Sequence, residues 1–419
     1  MIDTPNAFLM ELFKSAVAAA QPAIRVPVFL PEKPDGRLVI VGAGKAGGAM
    51  AEAVEKAWDG PLDGLVITRY GHVRPTERIE LVEASHPVPD EAGFEATKRI
   101  MEKVSGLTKD DLVLCLISGG GSALLTFPAG NITLAEKQQV NEKLLACGAH
   151  IGEMNCVRKH ISAIKGGRLA VAAYPARLVS LMISDVPGDD PATIASGPTV
   201  GDDTTREDAL EIVERYGLSL PDSVMMHLAS ADCESPFPDD QRLARVVNHV
   251  IAAPSQSLEA AAGLAREKGV EVVSLGDQVE GEARDVGHEH GLLALEKAAG
   301  CTKPLLILSG GECTVTIKGQ GVGGPNTEYL MGVALALDGH QRVHAIACDT
   351  DGVDGARDNA GAVISPDTLV RATAQGLNTV QMLENNDAWH FFDALGDLVV
   401  SGPTHTNVND LRAILVLPE

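Results

Sequence analysis

Short runs of apolar residues, each closed by a glycine-rich turn, alternate along this chain with stretches of helical period. Phe8, Leu9, Leu12, Phe13, Ala16 and Val17 recur at the spacing of one helix face, which predicts a helix over 5–19. Residues 37–41 read as a strand that ends on a glycine turn and passes into a helix. Further strands are predicted at 63–68 and within DLVLCLISGGGSALL (111–125), the latter again ending in a glycine turn, with a helix over 134–150. The run 177–190 reads as a strand leading into an acidic, proline-bearing loop. These strands are apolar throughout rather than alternating, which indicates a parallel sheet covered by helices on both faces. In such sheets ligands gather beyond the carboxyl ends of the strands, where the glycine loops lie.

Residues 219–243 are richer in Pro, Ser and Asp and carry no long period. They predict a division into a domain over 1–240 and a second over 241–419. Beyond them, strands at 246–253, 270–275, 305–317, 344–352 and 411–417 interleave with helices near 256–268, over 283–298 and from about residue 325. The second half is therefore also α/β, and no internal repeat of fixed period is visible.

Composition narrows the function classes. The chain has 419 residues, 45% hydrophobic and 22% charged, which excludes disorder for most of it. With 34 Lys+Arg against 57 Asp+Glu, a net charge of −23 and only two Trp, four Tyr and eight Phe, it lacks the basic face a nucleic-acid binder needs. No apolar run approaches the roughly 20 residues that span a bilayer, so no membrane partner is expected. The opening segment carries Asp3 and Glu11 without a basic stretch, unlike a signal peptide. Seven scattered cysteines, none in C-x-x-C, read as small buried hydrophobes in a reducing compartment, and a cytoplasmic location is expected.

The chemistry concentrates in loops. Gly42-Ala43-Gly44-Lys45-Ala46-Gly47 matches G-x-G-x-x-G between a strand and a helix, a setting for an anion at a helix N-terminus. A dinucleotide fold would add an acid at the end of the next strand, but that strand ends Thr68-Arg69-Tyr70. Lys45 is thereby an ammonium group suited to a carboxylate or phosphate. Ser118-Gly119-Gly120-Gly121-Ser122 is a candidate anion nest with two hydroxyls. It lacks the last glycine of a hydrolase elbow, Leu124 standing there instead. Arg158, Lys159, Lys165 and Arg168 crowd CVRKHISAIKGGR, a density of positive charge that would attract an acidic small molecule. Asp185 and Asp189 follow a strand, where carboxylates hold Mg²⁺ or accept a hydroxyl proton.

In the second half, Gly310-Gly311-Glu312, Gly321 to Asn326 and the acidic DTDGVDG run (349–355) fit Mg²⁺ with a nucleotide better than a calcium loop, whose spacing they lack. Thr406 and Asn407 add hydroxyl and amide groups. His288 and His290 would point to different sides of a helix and no H-E-x-x-H occurs, so zinc is not expected.

Taken together and in order, VGAGKAGGAMAEAVE, HPVPDE, SGGGSALL, VRKHISAIKGGRLA, SDVPGDDPATIASGPTV, LSGGECTV, DTDGVDG and SGPTHTNVNDLRAILV resemble the glycerate 2-kinase family, whose C-terminal part is the MOFRL domain. The resemblance runs from about residue 8 to 417. It implies two dissimilar three-layer α/β/α domains, the N-terminal one Rossmann-like with a mainly parallel sheet, and an active site in the cleft between them. It implies phosphorylation of D-glycerate to 2-phosphoglycerate with ATP and Mg²⁺; a homodimer is compatible with it.

The roles it suggests are Lys45, Asp189, Asp185 and Arg158 in catalysis. Ser118, Gly119, Gly120, Gly121, Ser122, Lys165 and Arg168 would bind the substrate. Gly310, Gly311, Glu312, Gly323, Gly324, Asn326, Thr406 and Asn407 would bind the nucleotide, and Asp351 and Asp354 the metal. The chain departs from the family in Pro325, where members usually carry Arg in GGRN, and in Ala163. Arg158 or Arg168 is the candidate to replace the missing guanidinium. The alternative activity is an NAD(P)H-dependent hydroxypyruvate reductase, a name that members of this family have also carried.

Overall fold

The apolar runs pair into two six-stranded sheets, one in each of two units of a computed structural model that describes residues 2, 4–355 and 357–419. Asp3 lies outside the described residues. One unit is Pro22–Ile251; the other joins the segment ending at Gln21 to Ala252–Glu419. The division thus falls eleven residues later than the pattern predicted, and the first helix belongs with the C-terminal unit. The cause is its apolar stripe: Phe8, Leu9, Leu12, Phe13 and Ala16 of the helix Pro5–Ala19 share a core with Leu258, Ala261 and Ala265.

In the unit Pro22–Ile251, β1 (Leu38–Ala43), β2 (Asp63–Arg69), β3 (Ile79–Ala84), β4 (Leu112–Ile117), β5 (Arg177–Ile183) and β6 (Val246–Ala252) lie in the order 3-2-1-4-5-6. The pairs from β3 to β5 are parallel. β1 and β4 are buried at every position, which explains their continuous apolar runs. β3, with its half-exposed Glu80 to Glu83 stretch, lacked such a run and was not predicted. Because the strand order reverses between β1 and β4, their carboxyl ends flank a topological switch point, the place where this architecture opens a ligand crevice.

The amino ends of the same two strands are tied by Asp111, just before β4. Its carboxylate accepts from the Arg37 and Thr108 amides at 2.7 and 2.8 Å and from the Thr108 hydroxyl at 3.0 Å. Burial acts to raise its pKa, but these hydrogen bonds win and hold it well below its ordinary 3.8. A group depressed in the folded state adds stability above its unfolded pKa and loses it as pH falls through the folded one. Asp111→Asn is therefore expected to cost about 2 kcal/mol at neutral pH, a deficit that shrinks below pH 3.8 in urea titrations.

In the other unit, β7 (Glu271–Ser274), β9 (Leu305–Ser309), β11 (Val343–Asp349), β12 (Gly361–Ile364), β13 (Leu398–Val399) and β14 (Asp410–Val416) form a sheet in the order 13-12-11-14-9-7. Only β7–β9 is parallel; β9–β14, β11–β14, β11–β12 and β12–β13 are antiparallel. Continuous apolar runs reported burial on both faces correctly, but strand direction is not written in them. β8 (Gly281–Glu282) and β10 (Cys313–Thr314) make a separate short ribbon. The helices Ala283–Ala298 and Pro325–Leu337 pack on one face with Phe391 and Phe392, and the first helix and Pro254–Glu267 on the other. No helix among the described residues is long and apolar enough to cross a membrane.

Candidate active site

Two glycine loops meet at the switch point, and their backbones are used in opposite ways. In the loop after β1, Gly44, Lys45 and Gly47 donate their amides to Ile67 O, Gly119 O and Gly44 O at 3.1, 2.8 and 2.9 Å. Ala46 donates to Ser118 Oγ at 3.0 Å. Four consecutive N–H groups are thereby spent inside the protein. In the loop after β4, the amides of Gly119, Gly120 and Ser122 have no partner among the described residues. The second loop keeps the unspent amides that an anion nest requires; the first is a brace that carries Lys45 beside it. The Lys45 side chain runs along Gly120, whose φ is +78° and where an added Cβ would lie 3.4 Å from Lys45 Cγ and 2.9 Å from His86 Cδ2. Ser118, expected to bind substrate, caps the neighbouring loop instead.

Behind the nest stands a group of cations. Lys165 is 1% exposed, and its ammonium donates to Ser122 O at 2.8 Å, Ser122 Oγ at 3.0 Å and Ala195 O at 3.3 Å. Burial first, then the charges of Lys137 and Arg158, push its pKa well below the usual value. Three acceptors around Nζ oppose that push, because they require three N–H donors. Lys165 has none left for a substrate, so it positions the nest rather than touching the ligand expected of it. Arg168 is spent likewise, on Lys159 O, Lys165 O, Ser235 Oγ and Cys233 O. Lys159 pairs with buried Asp202 at 3.2 Å.

What Lys165 holds is strained. Ala195, Ser196 and Gly197 follow one another at φ 52°, 60° and 60°, a region non-glycine residues enter at a cost of about 1–3 kcal/mol each. The amides of Gly166 and Gly167 bind Ser196 O and Gly197 O at 3.1 and 2.8 Å, so the KGG segment grips the strained turn. The result sets Ser196 Oγ 2.8 Å from Ser122 Oγ and 3.2 Å from Asn155 Oδ1. In the loop after β5, Asp189 follows Gly188 and has φ 54°, its amide bonded to Val186 O at 3.1 Å. Asp190, beside it, is a turn residue that accepts from Ala192 N and Thr193 Oγ1.

The residues expected to bind nucleotide and metal sit in the other unit, and most are engaged within it. Gly310 donates to Gly276 O, and the Gly310 and Gly311 carbonyls accept from buried Arg412 at 3.2 and 2.9 Å. Asn326 donates to Asp410 Oδ1 at 2.7 Å, and Thr406 Oγ1 to Ala20 O at 2.9 Å. Asn407 accepts from the Asn409 amide, and Glu312 is exposed. Pro325 opens the helix Pro325–Leu337, a position where proline's missing N–H costs nothing.

Asp354 closes that helix start. Its two oxygens accept from the Asn326 and Thr327 amides at 2.9 and 3.0 Å and from Thr327 Oγ1 at 2.9 Å. A Cβ on Gly324 would lie 2.3 Å from Asp354 Oδ1, and one on Gly355 2.7 Å from Gly323 O, so this glycine loop is packed against its neighbours. Burial, reinforced by the Asp410 charge, pushes the Asp354 carboxyl up to about 6 against those hydrogen bonds. Asp351 Oδ1 accepts from the Val353 amide at 2.8 Å. No group of three or more metal-type ligands occurs among the described residues. Asp354 is a helix cap, and the pair Asp351 and Asp354 does not fit a magnesium site held by the protein alone.

Comparison with known proteins identifies the architecture. Residues 8–229 match a family described as a domain of unknown function, DUF4147, and residues 305–410 match the MOFRL family. The chain is 38% identical to the D-glycerate 2-kinase of Thermotoga maritima over 413 residues, 97% of each chain. The crystal structure of a glycerate kinase from that organism superposes with a TM-score of 0.89 at 37% identity, covering 98% of this chain and 99% of that one. The chain belongs to the glycerate 2-kinase family. A protein of Agrobacterium vitis, provisionally named a hydroxypyruvate reductase, is 52% identical over 97% of this chain and 94% of its own.

Within this glycerate 2-kinase fold, sequence reasoning missed Lys137, Asn141, Asn155, Ser196 and His86. Lys137 carried a readable signal: it falls at i, i+3, i+7 with Val140 and Leu144, the buried stripe of the helix Leu134–Ala146. Ser196 and Asn155 carried none, because only the strained turn brings them to Ser122.

Proposed function

We propose that this protein is a glycerate 2-kinase, transferring the γ-phosphoryl group of ATP to the 2-hydroxyl of D-glycerate to give 2-phosphoglycerate and ADP. The observation that carries the reading is the nest of unspent amides at Gly119, Gly120 and Ser122 with Lys45 beside it. Phosphoryl transfer asks the protein mainly for position and for donors aimed at developing charge, and these groups supply both. In the proposed reaction the glycerate hydroxyl oxygen forms the bond to phosphorus, the bond from phosphorus to the ADP oxygen breaks, and the hydroxyl proton passes to Asp189. Asp185, four residues earlier in the same loop, supports that carboxylate. The nucleotide is proposed to bring Mg²⁺ on its own phosphates, and no step is assigned to the metal. The seven cysteines, all free thiols, suit a cytoplasmic enzyme.

The reductase reading draws on G-x-G-x-x-G and the strand order. Against it, the Gly44–Gly47 amides that would face a pyrophosphate are already bonded. β2 ends Thr68-Arg69, with no acid where a ribose acid would stand, and Thr68 is buried and donates to Gly44 O at 3.2 Å. A coupled ADP-release assay with ATP and D-glycerate, followed by phosphorus NMR of the product, is expected to show 2-phosphoglycerate. NADH oxidation by hydroxypyruvate without ADP release would instead overturn the kinase reading. Asp189→Asn is expected to lower kcat by about 10²-fold or more; undiminished turnover would reduce Asp189 to a turn residue.

A further inference from the structure

Lys137 is the least explained buried charge in the N-terminal unit. It is 2% exposed, and its ammonium has no hydrogen-bond partner among the described residues. One helical turn further on the same face, Asn141 Oδ1 accepts from Arg158 Nε at 3.2 Å, which brings the guanidinium alongside Lys137. The terminal nitrogens of Arg158 have no partner among the described residues. Arg158 is the charge that acts on Lys137, Lys137 and Arg158 are those that act on Lys165, and among the described residues no carboxylate joins them. Burial and the Arg158 charge push the Lys137 ammonium down to about 7.

A buried cation is retained at this cost when something supplies the missing counter-charge. Lys165 differs, being saturated by its three acceptors. We propose that Lys137 and Arg158 form an oxyanion subsite that takes the carboxylate of the acceptor substrate, leaving Lys45 and the Gly119–Ser122 nest to the transferring phosphoryl group. The assignment of the carboxylate rests on the glycerate kinase reading; the subsite itself does not. The burial of Lys137 favours the carboxylate, because the small end of a three-carbon acid can approach a buried cation where a nucleotide phosphate, tethered to its base, cannot follow.

The test is a pair of variants, Lys137→Met and Arg158→Gln, examined by thermal shift with D-glycerate, inorganic phosphate and ATP, and by steady-state kinetics. Lys137→Met is expected to raise the ligand-free melting temperature by about 2–4 °C, since it removes an unpaired buried charge and keeps the volume. Both variants are expected to lose the shift that D-glycerate gives the wild type and to raise its KM about tenfold or more, with the KM for ATP within about threefold. Retention of the glycerate shift in both variants would overturn the proposal. Loss of the phosphate shift alone, with the glycerate shift retained, would assign the cations to the phosphoryl group and overturn it too. A wild type that binds L-lactate but neither binds nor phosphorylates D-glycerate, with the lactate shift lost in Lys137→Met, would uphold the carboxylate subsite and sink the kinase reading.

Discussion

Lys45→Ala is expected to lower kcat/KM for D-glycerate by about 10²-fold or more while leaving the melting temperature close to that of the wild type. The backbone of Lys45 does structural work, its amide donating to Gly119 O at 2.8 Å, and that contact survives removal of the side chain. The side chain lies along Gly120, at the edge of the free amides that would meet a phosphoryl group. Removing one aimed donor or charge from such a site typically costs about 3–4 kcal/mol of transition-state stabilisation. Near-wild-type kinetics would take Lys45 out of the chemistry and leave the nest alone to carry it. A lowered melting temperature would instead show that the side chain braces the two loops.

Lys165→Met is expected to damage stability and activity together, the reverse of what is expected at Lys137. Both lysines are buried, and the two substitutions are identical. The difference is the partners. Removing the Lys165 ammonium strands two carbonyls and a hydroxyl, with a penalty of about 1–3 kcal/mol for each unsatisfied group. It also frees the strained turn at Ala195–Gly197 from one of its restraints. Relief of repulsion with Lys137 and Arg158 offsets part of this, so the net loss is expected at about 2–4 kcal/mol in urea unfolding. As the nest loses its brace, kcat/KM is expected to fall about 10²-fold, and lowering the assay temperature to restore the folded fraction is not expected to recover it. A variant as active and as stable as the wild type would show that Ser122 and Ser196 hold their places without the lysine.

These two residues also show the limit of reading charge from a sequence. The CVRKHISAIKGGR segment is visibly basic, and an acidic ligand follows as a reasonable expectation. In the structure its cations divide by role. Lys159 pairs with Asp202, Arg168 ties loop carbonyls, Lys165 braces the nest, and Arg158 keeps both terminal nitrogens without a partner among the described residues. The cation that completes the group, Lys137, comes from another helix, where a single lysine among apolar neighbours is a weak signal. The C-terminal carboxylates behave in the same way. Asp354 reads as a metal ligand in an acidic run, yet both its oxygens cap a helix.

By itself, the sequence determined the strands of the first sheet apart from β3, the glycine loops at their carboxyl ends, the α/β character of both halves and the family. All of these are local: a fully buried parallel strand must be apolar throughout, and a tight turn after it needs glycine. Only the tertiary structure decided which glycine loop keeps its amides, which lysine keeps its protons unclaimed, and that the first helix belongs to the second core. Those facts depend on which groups from distant segments meet. A hydrogen-bond donor is spent or available according to a partner that can lie 70 residues away, as Ser118 is from Ala46 at a separation of 72.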